Sequence, residues 1–348
     1  MGLLRLLARL FREHLAVGRR PYVLLYVTGL LVYSTFALDR LDKQSPAPQF
    51  VYQADAWLHG KLSVTPNQAD ADWAKLETVE LRDKPGETVT GRRMITRPFF
   101  HPLRGDEIPN AQIGGTRETT WYMSFPAFPT VIMIPSAIIS GRDGNDVVPT
   151  LLLAGLILPL SLLVLRRLVD AKLSRRTICD DLWLVAMFAF GSVMFFSAVQ
   201  GSVWYTAHVV GVVLALLYAW GSIEAKHPII AGLALGAAAL TRSPMAFMFP
   251  LFLAEAWRMS NGGRAFFRSL LPFAIPVAAF AIAGMAFNLV RFHSPTEFGH
   301  TYLNVRQQVQ IEHWGLASYH YLTRNLAVAF TLLPELPGRY PWVQISGH

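Results

Sequence analysis

Tyr52, Asp55 and His59 stand three and four residues apart in FVYQADAWLHGKL, residues 50–62, so as a helix they share one face. Phe50, Ala54, Trp57, Leu58 and Leu62 fall on the other. A carboxylate, a phenol and an imidazole presented together suit general-base chemistry on a hydroxyl, provided the carboxylate is ionised. The same spacing also fits the solvated face of a surface helix. Asp39 and Asp42 lie just upstream, and residues 39–121 hold 12 of the 23 acidic residues. A second chemical group is Arg242, alone in Thr241-Arg242-Ser243-Pro244 between two apolar runs. An arginine at membrane depth is costly unless it meets a partner or water. Its guanidinium forks onto phosphate, which makes a lipid phosphate the natural partner, with snorkelling to the interface as the alternative. His208, His293, His300, His313 and His320 add imidazoles without HExxH spacing, so zinc hydrolysis lacks support. A divalent ion on the loop carboxylates stays open, without a pattern in its favour. GLALG at 232–236 lies in an apolar helix and reads as a packing surface rather than a phosphate loop, so nucleotide-driven transport lacks its motor.

The elements that must hold these groups are set by composition. With 53% hydrophobic and 16% charged residues, the apolar ones in blocks, the chain reads as an all-α polytopic integral membrane protein. The net charge of +8 sits between apolar blocks, as the positive-inside rule requires, which argues against nucleic acid. Cys179 alone excludes an internal disulfide and a cysteine metal cage. Residues 1–21 are basic with Leu3, Leu7, Phe11 and Leu15 at helical spacing, an amphipathic cytoplasmic helix. A span needs about 20 apolar residues. Candidates are 22–38, 147–165, 182–199, 206–224, a pair within 228–257 broken at Arg242, and 270–290. Residues 122–141 are long enough but carry Pro126, Pro129 and Pro135. Counting them as a span would put the basic loops 166–176 and 258–268 outside. The expected architecture therefore has seven helices in an inner (plasma) membrane, the N-terminus cytoplasmic. A first outer loop, 39–146, carries juxtamembrane helices at 50–62 and 122–141; spans two to seven fill 147–290, and the tail 291–348 is outside.

Four stretches together resemble the GT-C polyprenyl-phosphate-dependent glycosyltransferases, in particular bacterial dolichyl-phosphate-mannose-protein mannosyltransferase-like (family 39-like) proteins. They are YQADAWLHGKL, WYMSFPAFPTVIMIP, GLALGAAALTRSP and NLVRFHSPTEFGHTYLN, in that order along the chain. The resemblance implies a seven-helix core and outer-face transfer of a sugar from a polyprenyl-phosphate donor to an acceptor hydroxyl on a protein, lipid or glycan. A carboxylate base would act by inverting displacement. The family's base position falls near Ser45, so Asp42 and Asp55 rank level as base, with Asp39 third. The family's lysine motif corresponds to Ser124-Phe125-Pro126, without the cation. Arg242 matches the phosphate-binding arginine, with Arg291 as a second cation. Tyr52, His59, Trp121, Tyr205, His208 and His300 are the expected substrate contacts, with Trp57 and Trp204 as further stacking surfaces; aromatic anchoring at the interface is the alternative for the rings. Relatives continue past the tail with further helices, so the chain is expected to be shortened at its C-terminal end. A transporter or flippase of lipid-linked or sugar substrates is the rival reading, though only one interrupted helix pair and no internal repeat are present.

Overall fold

The computed structural model describes residues 20–67, 72–260, 262–303, 305, 307–315, 318–331 and 338. The expected N-terminal amphipathic helix falls almost wholly on residues 1–19, outside the described ones. The chain forms two compact units, one of residues 1–67 and 121–298, the other of 68–120 and 299–348.

The first unit is helical: α1 Arg20–Phe36, α2 Gln49–Leu58, α3 Phe128–Ser140, α4 Val147–Gly155, α5 Ile157–Asp170, α6 Ile178–Phe190, α7 Val193–Ala198, α8 Val203–Ser222, α9 Pro228–Ala239, α10 Pro250–Ser260 and α11 Gly263–Phe292. Local sequence sets several boundaries. Thr177 and Asp180 form a reciprocal capping box that starts α6, and the Ser192 hydroxyl accepts from the Met194 N–H to start α7. After α9 the chain passes through an extended Arg242 into a 3-10 turn, Ser243–Met248, with Pro244 in its first turn, where a missing N–H costs little.

Ion pairs and hydrogen bonds gather the helix ends into two sets. Arg166 and Arg176 both reach Asp181, at 3.0 and 2.7 Å; Arg167 pairs with Glu224 at 2.6 Å, and the Glu224 N–H donates to Glu255 at 2.7 Å. These tie the C-terminal ends of α5 and α8 to the start of α6 and to α10. At the other end of α4 and α8, the Asp146 carboxylate takes the Ser45 N–H (2.9 Å), the Ser45 hydroxyl (2.5 Å) and the Ser202 N–H (3.1 Å). The loops 166–176 and 258–268 thus flank one end, and α2 and α3 lie toward the other.

The second unit contains an antiparallel sheet of five strands in the order β4-β3-β2-β1-β5, with β1 Trp73–Leu81, β2 Lys84–Arg93, β3 Phe99–Pro102, β4 Ile108–Pro109 and β5 Ile113–Met123, the last residues of β5 returning to the helical unit. Val79, Phe100 and Ile113 form its buried apolar cluster. The helices α12 Gln308–Trp314 and α13 Leu322–Thr331 follow. Glu312 on α12 pairs with Arg92 at 3.1 Å and accepts the Ile95 and Thr96 N–H groups, the Thr96 hydroxyl and Gln308 Nε2.

The all-α seven-helix expectation is corrected by this architecture, which is mixed α/β. Residues 73–123, expected as part of a polar outer loop, instead form the sheet: the β-favouring runs Thr78-Val79 and Thr88-Val89-Thr90 lie in the paired strands β1 and β2. Among the described residues, three helices are long and apolar enough to cross a membrane: Val147–Asp170, Val203–Ala225 and Gly263–Phe292. The last is largely exposed, with 11% of its apolar window buried. The other expected spans fall short. Gly191-Ser192 divides 182–199 into α6 and α7, and α1 and α9 are apolar helices below spanning length by that criterion.

Candidate functional site

The segment 50–62 folds as α2, but few of its side chains are solvated. Phe50, Val51, Tyr52, Gln53 and Ala54 are all buried, which removes the expected amphipathic division. Gln53 accepts from the Thr130 hydroxyl of α3 at 2.6 Å. Asp55 and His59 remain half-buried and exposed, joined by Asp55 Oδ1 to His59 Nδ1 at 3.5 Å, while His59 Nδ1 also lies 2.8 Å from the Asp55 carbonyl. The Asp55 carboxylate rests against the end of α3, where a Cβ on Gly141 would come within 3.5 Å of it. Gly141 has φ +56° and so favours glycine on conformational grounds as well. The neighbouring Arg142 guanidinium lies 4.5 Å from the Tyr52 ring centroid, a cation–π contact.

Asp39 is exposed and paired with Arg40 at 3.1 Å; Asp42 is exposed. Ser45, at the family's base position, is buried and spends its hydroxyl and N–H on Asp146. Burial pushes the Asp146 carboxyl up, and the hydrogen bonds from Ser45 and Ser202 offset only part of that. Sequence reading passed over Asp146. Its signal was an Asp directly before an apolar run, though its side chain bonds to distant loops instead of capping α4.

Arg242 and His208 are brought together. Both line an apolar groove of about 290 Å³ between α6, α7, α8 and the turn after α9, walled by Phe188, Met194, Val212 and Met245. Arg242 is half-buried there. Arg291 is placed differently: 3% exposed, it donates to the Met123 carbonyl at 2.8 Å and to Asn288 Oδ1 at 3.0 Å, and stacks 3.9 Å from the Phe287 ring. Its donors join the end of α11 to β5. Tyr205 is half-buried with its ring edge-on to Phe196 at 5.3 Å, and Trp121 accepts the Val64 N–H at 2.8 Å through its carbonyl. Trp57 packs edge-on to Phe287 at 5.7 Å, and Trp204 to Phe125 at 6.5 Å. His300 begins a 3-10 turn, His300–Tyr302, in the second unit.

No family model, curated protein or solved structure matches the chain. Within the helical unit, α2 packs on α3, and the Phe128 N–H at the start of α3 donates to the Leu240 carbonyl, two residues before Arg242. The carboxylate helix and the cationic groove therefore connect through α3 at the same end of the bundle. Among the described residues no group of three His, Cys, Asp or Glu side chains is arranged to hold a metal ion.

Proposed function

We propose that the protein is a membrane glycosyltransferase that moves a sugar from a polyprenyl-phosphate donor to an acceptor hydroxyl at the outer face of the inner (plasma) membrane. The groove carries this reading: apolar walls ending at Arg242 and His208 match an isoprenoid chain with a charged head. A guanidinium in such surroundings gains most from a phosphate, which accepts two parallel hydrogen bonds and supplies a counter-charge. In this scheme Arg242 stabilises the departing lipid phosphate, with His208 beside it as a further donor to phosphate or sugar.

The base is assigned to Asp55. Asp42 and Asp39 are exposed carboxylates on a loop, whereas Asp55 is half-buried and fixed between His59 and the Gly141 turn. An oriented carboxylate with a neighbouring imidazole can take the acceptor proton as the oxygen attacks the anomeric carbon. The four resembling stretches add support independent of these contacts. The acceptor would be a protein, lipid or glycan hydroxyl.

The groove's occupant is testable without turnover. Protein purified in mild detergent and examined by native mass spectrometry should retain a polyprenyl phosphate, and Arg242→Ala should lose it. Retention of only diacyl phospholipids by wild type and variant alike would oppose the donor assignment.

A further inference from the structure

Leu322, Leu326 and Phe330 of α13 stand four residues apart, so they form one stripe along the helix, with Ala329 beside them. Arg324 and Thr331 fall on the opposite side, and Val328 is the one large apolar residue off the stripe. The stripe is open: Leu322 is 57% exposed, Leu326 48% and Phe330 82%, and no residue of α13 is buried. An isolated helix in water is marginal below about 12–15 residues, and α13 has 10. Its start is nevertheless held. The Tyr321 hydroxyl donates to the Gln310 and Gly315 carbonyls at 3.3 and 3.1 Å, and the His320 ring stacks on Trp314 at 3.8 Å. These contacts tie the 3-10 turn Tyr319–Tyr321, and with it the first residues of α13, to α12.

We infer that α13 lies in the plane of a phospholipid bilayer, its Leu322-Leu326-Phe330 stripe sunk at the boundary of headgroups and acyl chains. Three observations select lipid. An in-plane helix needs an apolar stripe backed by a polar or basic side, and Arg324 stands opposite the stripe. Trp314, Tyr319 and Tyr321, just before the helix, are residue types that settle at headgroup depth, and Trp314 and Tyr319 are exposed. Residues 313–331 contain no Asp or Glu, so an anionic headgroup layer meets no like charge. A second copy of the chain fits less well. Ten residues make a helix about 15 Å long, and one stripe of it cannot supply the ~800 Å² per partner of a stable protein interface. A bilayer sets no such threshold, because helices of the same chain are long and apolar enough to hold it there. The inference needs a bilayer but no glycosyl transfer, so it stands or falls apart from the proposed function.

The test uses the full chain with Cys179→Ser, in nanodiscs of phosphatidylethanolamine and phosphatidylglycerol. One nitroxide at a time is attached through Leu326→Cys, Phe330→Cys, Arg324→Cys or Thr331→Cys. Power-saturation EPR should find the labels at 326 and 330 more accessible to oxygen than to a water-soluble nickel chelate, at a depth of about 5–10 Å into the headgroup and acyl boundary. The labels at 324 and 331 should show the reverse order. The unlabelled wild type gives a check free of substitutions: a diazirine carried on the lipid near its glycerol should insert into the peptide 322–331. Nickel access exceeding oxygen access at all four positions would overturn the inference, since the helix would then lie in water. So would exclusion of both reagents at 326 and 330, the mark of a protein partner, or oxygen access dominating at all four, the mark of a helix that crosses. Absence of lipid insertion into 322–331 of the wild type would overturn it as well.

Discussion

Glu312 shows how much a single side chain can organise. Burial opposes its charge, but the Thr96 N–H and hydroxyl, the Ile95 N–H and the Arg92 guanidinium outweigh that and hold its carboxyl below the usual range. A carboxyl lowered in the folded state stabilises the fold above its unfolded value, about 4.3 for glutamate, and loses that contribution as pH falls through the lowered folded value. Glu312→Gln leaves the Arg92 charge buried and unmatched and should cost about 3–5 kcal/mol. Chemical denaturation followed by circular dichroism will measure it, and the difference from wild type should shrink as the pH is lowered through that range. Neither Glu312 nor Asp146 could be read as a hub from sequence, because their partners lie far away along the chain: Ile95 is 217 residues from Glu312, and Ser45 is 101 from Asp146. Arg242 was legible for the opposite reason. A lone cation between two apolar runs announces its own cost, whatever it packs against.

At the scale of elements, the packing role expected for GLALG is visible. A Cβ on Gly232 would meet the Phe273 carbonyl oxygen at 2.2 Å, and one on Gly236 would meet Phe280 at 2.6 Å, so the two glycines let α9 and α11 approach closely. Gly232→Val should therefore destabilise the helical unit by about 1–3 kcal/mol through overpacking, read as a lowered thermal midpoint in detergent. A neutral result would mean that α9 and α11 are not in close contact. The break at Arg242-Ser243-Pro244 was also foreseeable, since proline chemistry acts locally. The strands were not. Neither β1 nor β2 carries a clean apolar and polar alternation, and hydrogen bonding between strands is a non-local property. For α2 the helix itself was legible, but its burial was not, because Thr130 and the Gly141 turn that cover it come from a distant segment.

For the whole molecule, composition identified the three long apolar helices but overstated how many runs reach spanning length. The grouping of helix ends gives a direct test of sidedness. With exposed Cys179 replaced by serine, a cysteine at Asp143 should react with a membrane-impermeant maleimide from outside intact cells, and one at Ser174 should not. The reverse pattern would invert the assigned orientation and move the Arg242 groove to the cytoplasmic side. Beyond sidedness, the proposed function makes one central claim: that sugar leaves a lipid phosphate held at Arg242 for an acceptor activated by Asp55. The most direct measurement is transfer of label from a polyprenyl-phosphate sugar by membranes containing the full chain. Wild type should transfer it; Asp55→Asn should abolish turnover while retaining bound donor, whereas Arg242→Ala should lower both donor retention and turnover by at least about tenfold. No transfer from any polyprenyl-phosphate sugar by the wild type, or full activity in both variants, would contradict it.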